Sequence, residues 1–232
     1  SYLRETLWSD APVSHIVVTP PVPSFPLNPD KANWSVWDFP DVVDHWNFPG
    51  YEGKKMTVSV YSNCEQVELF LNGESLGKQE NTADKKNTLV WEVPYAHGIL
   101  KAVSYNKGGE VGTATLESAG KVEKIRLSAD RTEIVADGND LSYITLELVD
   151  SKGIRNQLAE ELVEFSIEGD ATIEGVGNAN PMSIESFVAN SRKTWRGSNL
   201  LVVRSGKSSG RIIVTAKVKA LPVASITITQ KK

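Results

Sequence analysis

The sequence is poor in the residues that carry most protein chemistry. Its one cysteine, Cys64, excludes an internal disulfide and a thiolate metal cluster, and fits either a cytoplasmic or a periplasmic setting. Its only histidines, His15, His45 and His97, stand far apart, with no HExxH motif and no paired metal-ligand spacing. No GxSxG elbow is present, so a serine hydrolase of that type is not expected. No apolar run approaches the roughly 20 residues needed to span a membrane. The start, "SYLRETLWSD", lacks the apolar centre and small-residue cleavage site of a signal peptide. Charge is nearly balanced, with 25 basic and 29 acidic residues and a net charge of −4. Without a basic patch, nucleic acid is not an expected partner.

What is present is β-pattern. The 232 residues are 40% hydrophobic, enough for one large or two modest domains. The opening "YLRETLWSD" reads as the tail of a helix, and "APVSHIVVTP" as a short strand closed by proline. From Lys55 onward, short runs alternate or are apolar and are separated by turn residues: "MTVSVYS", "QVELFLN", "ESLGKQ", "TLVWEVPY", "GILKAVSYN" and "EVGTATLES". Asn72-Gly73 supplies the two positive-φ positions of a type I′ hairpin turn. Trp91 alternates with Leu89 and Val93 and is expected inside. The polar, glycine-containing "SAGKVEKI" near residue 120 is the expected boundary. A second series follows: "KIRLSA", "EIVAD", "LSYITLELVD", "LVEFSIEG", "ATIEGV", "SIESFVA", "NLLVVRS", "GRIIVTAKV" and "VASITITQ". The expected fold class is all-β, two tandem immunoglobulin-like β-sandwiches.

Three stretches could carry chemistry. Glu65, Glu68 and Glu74 lie within ten positions, but a glycosidase needs two carboxyls facing one another across a substrate. On a strand followed by a hairpin they read as framework. Asp130, Asp137 and Asp140 in "SADRTEIVADGNDLSY" do not meet the calcium-loop spacing. They read as turns in which Asp and Asn bond nearby backbone, with a weak calcium site left open. "EGVGNANP" is not a dinucleotide fingerprint and reads as a loop between strands. The remaining candidate is the segment from Pro20 to Gly50, dense in Pro, Trp and Asp. Trp34, Trp37 and Trp46 offer apolar rings with a polar edge, suited either to a sugar face or to docking on a neighbouring domain.

Together these segments resemble the part of bacterial glycoside hydrolase family 2 β-galactosidases that follows the catalytic barrel. "YLRETLWSDAPVSHI" is similar to the exit from the barrel. "HWNFPGYEGKKMTVSVYSNCEQVELFLNGESLG" with "WEVPYAHGILKAVSY" is similar to the first β-sandwich after it. "LSADRTEIVADGNDLSYITLELVDSKG", "FSIEGDATIEGVGNANPMSIESF" and "RSGKSSGRIIVTA" resemble the invasin-like, immunoglobulin-like domain that comes next. The resemblance implies residues 1–22 as barrel tail and connecting strand, 23–119 as the first sandwich, and 120–232 as the second. It implies a retaining glycosidase whose two catalytic glutamates lie on the barrel, so no catalytic residue, metal or cofactor is carried over to this chain. It also implies that Trp46, in "HWNF" where the family pattern reads "HWNW", lines the substrate pocket, joined by Trp34 and Trp37. The expected partners are the barrel of the same polypeptide, an oligosaccharide and a second copy of the protein. The expected compartment is the periplasm or cell surface. The rival expectation is a stand-alone carbohydrate-binding or adhesive module, because sandwiches of this kind serve many roles.

Overall fold

The computed structural model describes residues 2–24 and 40–232. The chain divides into two units, Ser1–Ser118 and Ala119–Lys232. Both are built almost entirely of antiparallel strands.

The first unit opens with a seven-residue helix, α1 (Tyr2–Trp8), and strand β1 (Ser14–Val18). Six more strands follow: β2 (Lys55–Ser62), β3 (Gln66–Leu71), β4 (Glu74–Glu80), β5 (Thr88–Pro94), β6 (Ile99–Asn106) and β7 (Gly109–Glu117). They form a three-stranded sheet in the order β1-β2-β5 and a four-stranded sheet in the order β4-β3-β6-β7. The alternation visible in the sequence decides which side chains face inward. Met56, Val58 and Val60 of β2, Val67 and Leu69 of β3, and Leu89, Trp91 and Val93 of β5 meet Leu100 and Ala102 of β6 in one core. Trp91 also donates from Nε1 to the carbonyl of Gly77, 3.2 Å away.

The hairpin between β3 and β4 is tight. Leu71 pairs with Glu74, leaving only Asn72 (φ 52°) and Gly73 (φ 88°) in the turn. Both are left-handed, as a type I′ turn requires. Strand β1 corrects one sequence expectation. It is not a connector outside the first sandwich but an edge strand within it, paired with β2 from Ser14–Ser62 to Val18–Val58. The physical reason is its buried run Ile16, Val17 and Val18, which only a sheet partner and a core can satisfy.

The second unit contains β8 (Lys124–Ala129), β9 (Glu133–Val135), β10 (Leu141–Val149), β11 (Leu162–Glu168), β12 (Ala171–Gly177), β13 (Ser191–Lys193), β14 (Ser198–Ser205), β15 (Gly210–Val218) and β16 (Ala224–Lys231). One sheet has the order β12-β14-β10-β8 and the other β13-β11-β15-β16-β9. All pairings are antiparallel except β16 with β9. Ile144, Leu146 and Leu148 face Val163, Phe165, Ile212 and Val214 across the core.

One segment differs from expectation. "SIESFVA", residues 183–189, is not a strand but part of a turn-rich loop, and Ser191–Lys193 forms the strand instead. The guanidinium of Arg192 explains this. It takes the carbonyls of Val176 and Glu185 as hydrogen-bond acceptors, so these backbone groups are satisfied without a ladder.

Candidate functional site

Two of the three glutamates around the β3–β4 hairpin, Glu68 and Glu65, are committed to the framework. Glu68 Oε1 accepts a hydrogen bond from the Ser75 hydroxyl at 2.6 Å, across the β3–β4 pair. Its other oxygen accepts from the Tyr105 hydroxyl at 3.4 Å, and Lys78 Nζ lies 3.9 Å away. Lys78 in turn sits over the Tyr105 ring, 3.4 Å from its centroid. Burial and then the neighbouring Glu68 charge push the Tyr105 phenol above its ordinary pKa. Glu65 Oε2 accepts from the backbone N–H of Lys107 at 2.7 Å. Glu74 stands apart, with Glu52 and His97 at the rim of a groove of about 560 Å³ floored by Leu71, Leu76, Pro94 and Tyr95. Tyr95 is buried, so the groove offers a sugar no exposed aromatic face.

The acidic turns are equally occupied. Asp137 Oδ1 accepts from the backbone N–H groups of Asn139 and Asp140, both at 2.8 Å, and these donors hold its carboxyl below the usual range. Asp140 is held low first by the N–H of Val135 and then by Arg131. Asp130 Oδ1 accepts from the N–H of Tyr143 at 2.7 Å. These oxygens staple turns to strand ends, as short Asp side chains do. No group of three or more His, Cys, Asp or Glu side chains is arranged to hold a metal among the described residues.

Trp46 corrects a further expectation. It does not offer a face to a sugar. Its side chain is 0% exposed, and its Nε1 donates to the carbonyl of Ala96 at 2.8 Å. Edge-on contacts to Tyr95 (4.9 Å, 69°) and Phe48 (5.9 Å, 79°) complete a three-ring cluster, with Phe48 and Tyr95 at 5.8 Å and 87°. The Tyr95 hydroxyl accepts from the backbone N–H of Phe48, and the Ser118 hydroxyl donates to the Trp46 carbonyl. An indole with no exposed surface and an N–H already bonded is a core anchor. Trp34 and Trp37 lie outside the described residues.

The structure instead brings forward α1, whose contribution composition does not advertise. The helix is clamped to the first sandwich. The Tyr2 hydroxyl donates to Asp44 Oδ2 at 3.0 Å, and the Tyr2 ring stacks on His15 at 4.4 Å. His15 Nε2 and Glu5 Oε2 are 2.9 Å apart. The Asn87 side-chain amide donates to the carbonyl of Thr6, and that of Asn63 to the carbonyls of Ser9 and Ala11. Held this way, the helix turns Leu7 and Trp8 outward, 60% and 78% exposed. Leu7 and Trp8 are thus adjacent large apolar side chains, both exposed, on an element fixed to the sandwich.

The architecture places the chain in a class of tandem β-sandwich modules, each with its own core. Residues 125–227 match the family model described as Glycoside hydrolase family 2 C-terminal domain 5, and residues 53–112 match a Domain of unknown function (DUF4982). The beta-galactosidase BoGH2A of Bacteroides ovatus is 32% identical over 203 residues, which are 87% of this chain and 24% of that protein. A beta-glucuronidase of Formosa agariphila is 30% identical, over 85% of this chain and 20% of its own length. The crystal structure of a glycosyl hydrolase family 2 member from Bacteroides cellulosilyticus superposes with a TM-score of 0.98 at 99% identity, over all of this chain and 30% of that one. The chain therefore belongs to glycoside hydrolase family 2, as a C-terminal β-sandwich region. It spans 24% and 20% of the two curated relatives.

Proposed function

We propose that this chain is the non-catalytic C-terminal region of a retaining family 2 glycosidase, foremost a β-galactosidase, and that it braces the catalytic barrel of the same polypeptide. The observation that carries the bracing role is α1: a clamped helix that holds Leu7 and Trp8 in solvent. Burying two such side chains against a partner is worth about 2–5 kcal/mol together, at roughly 25 cal/mol per Å². Substrate hydrolysis belongs to the longer polypeptide. The two facing carboxyls of a retaining mechanism come from outside this chain: Glu65 and Glu68 are bonded within the first sandwich, and among the described residues Glu74 has no second carboxyl arranged across a substrate from it. The compartment we propose is the periplasm or cell surface, where polymeric glycans are met.

The test uses the longer enzyme. It should release p-nitrophenol from the β-D-galactoside, with the β-D-glucuronide as comparison, and proton NMR should show the β-anomer as first product. Leu7→Ser with Trp8→Ser should lower its melting temperature by several degrees while kcat stays within twofold. No hydrolysis of either glycoside would refute the parent activity. An unchanged melting temperature would refute the brace. Glycan binding by residues 1–232 alone, without a need for further sequence, would instead support a stand-alone binding module.

A further inference from the structure

Asn72-Gly73 is the only Asn-Gly pair in the sequence, and it forms the whole of the β3–β4 turn. The dipeptide carries a chemistry of its own in water. The backbone nitrogen of the glycine can attack the side-chain amide carbon of the asparagine, because no Cβ stands beside the nucleophile. Asn72 is exposed, and a Cβ built on Gly73 meets nothing within 4 Å, so solvent and space are both at hand.

The structure holds the reacting amide elsewhere. Asn72 Oδ1 accepts from the Ile99 N–H at 2.8 Å, and Asn72 Nδ2 donates to the His97 carbonyl at 3.2 Å. The Asn72 N–H donates to the Ile99 carbonyl at 2.9 Å. Backbone and side chain of one residue thus bind the β5–β6 turn together. That turn is itself fixed: the Gly98 N–H donates to the Ser118 hydroxyl at 3.1 Å, and the Gly98 carbonyl accepts from the Ser118 N–H at 2.8 Å. The Asn72 amide lies against Gly98, where a Cβ would fall 1.8 Å from Oδ1 and 2.8 Å from Nδ2. Two effects oppose one another here. The Ile99 N–H draws electron density from the amide carbon, which aids attack. The same bond and its companion to His97 hold the amide in place, and ring closure needs Cγ brought onto Gly73 N. Polarisation without reach does nothing, so position decides.

We infer that Asn72 is a deamidation site gated by its own hairpin: the closed turn withholds the amide, and reaction follows opening of the Asn72–Gly98 contact. As the bond from Gly73 N to Asn72 Cγ forms, the Cγ–Nδ2 bond breaks. The proton lost by Gly73 N is regained through solvent by the departing Nδ2, which leaves as ammonia. Water then opens the five-membered imide at one of its two carbonyls, giving aspartate or iso-aspartate at position 72. Neither product fits the seat. Aspartate keeps an acceptor for the Ile99 N–H but has no donor for the His97 carbonyl. Iso-aspartate adds a methylene to the main chain of a turn with only two residues between the paired Leu71 and Glu74. The change is one-way, and it marks each molecule whose hairpin has opened.

The experiment incubates the full-length protein at mildly alkaline pH and follows the peptide carrying residue 72 by mass spectrometry after digestion. Gly98→Ala is treated alongside, as is a synthetic peptide of residues 66–80, since a lone hairpin of that length is marginal in water. Conversion should be at least about tenfold slower in the unsubstituted protein than in the peptide, as local opening limits it. Gly98→Ala, read well below its melting temperature, should convert at least about threefold faster than the unsubstituted protein, because the added methyl expels the amide. Should Gly98→Ala fail to fold, the protein and peptide rates decide by themselves. Protein enriched in iso-aspartate at 72 should melt lower than fresh protein. Equal rates in protein and peptide would overturn the gate, as would a folded Gly98→Ala that reacts no faster than the unsubstituted protein. A peptide that does not convert would overturn Asn72 as the site.

Discussion

The indole N–H of Trp46 reaches the carbonyl of Ala96 at 2.8 Å, joining residues fifty positions apart inside the first sandwich. This bond ties the segment before β2 to the turn between β5 and β6. Trp46→Ala should destabilise the first unit by about 3–5 kcal/mol, the range for deleting a large buried ring. Trp46→Phe should cost less, chiefly by leaving the Ala96 carbonyl without its donor. Urea denaturation followed by fluorescence of the remaining tryptophans checks both. In the longer enzyme, KM measured well below the transition should be unchanged, since the ring presents no surface to substrate.

Gly98 and Gly73 should respond differently to alanine. Gly73, at φ 88° with open space around it, should lose about 1–2 kcal/mol from backbone strain alone. At Gly98, a Cβ would fall 1.8 Å from Asn72 Oδ1. That oxygen accepts from the Ile99 N–H at 2.8 Å, so Gly98→Ala must also expel the Asn72 side chain. Gly98→Ala should therefore have the lower denaturation midpoint of the two, and a reversed order would contradict the turn geometry.

Acid should weaken the second unit before the first. Asp137, Asp140 and Asp170 are held below the usual carboxylate range, Asp170 chiefly by the Ser208 hydroxyl and backbone N–H. At Asp150, burial works upward, but the backbone N–H groups of Gly120, Ile154 and Lys152 outweigh it and the pKa is lowered. A folded-state pKa below the unfolded one gives stability that is present above about pH 4 and is lost as pH falls through the folded value. In the first unit, Asp84 is depressed in this way, first by the Thr82 hydroxyl. Thermal melting between pH 6 and pH 2.5 should show the steeper loss in residues 119–232. Asp150→Asn should flatten part of that slope.

Glu68→Gln and Glu74→Gln should leave kcat of the longer glycosidase within twofold. Removing a true acid/base or nucleophile from such an enzyme costs orders of magnitude, so a drop beyond a hundredfold would overturn the framework assignment. Glu68→Gln should instead weaken the strand-face contacts to Ser75, Lys78 and Tyr105. An exposed network of this kind contributes on the order of 1 kcal/mol or less.

Most strands were legible because period-2 patterning reports directly which side chains a sheet must bury. Leu89, Trp91 and Val93 could face nowhere but inward, and Asn72-Gly73 could make only a left-handed turn. The misread segment, 183–189, carries an apolar content that fits a strand. Its Ser183 hydroxyl and Glu185 carbonyl instead accept from the Arg192 guanidinium, a side-chain partner that no alternation pattern reveals. Strand β13 was missed for the converse reason. Its three residues, Ser191, Arg192 and Lys193, have no apolar signature and are extended only because β11 pairs with them.

The sequence by itself determined the all-β class, the order of nearly all strands, the hairpin at Asn72-Gly73 and the likeness to family 2 C-terminal domains. The class, the strands and the hairpin follow from local preference and alternation, which are properties of neighbouring residues; the likeness rests on resemblance of whole segments. Tertiary structure alone decided what the aromatic and apolar residues do. Trp46 and Trp8 are the same side chain in similar polar surroundings of sequence, yet one closes a core and the other stands in solvent. The difference arises because burial depends on what the rest of the chain brings alongside: Tyr95, Phe48 and the Ala96 carbonyl around Trp46, and none of these around Trp8.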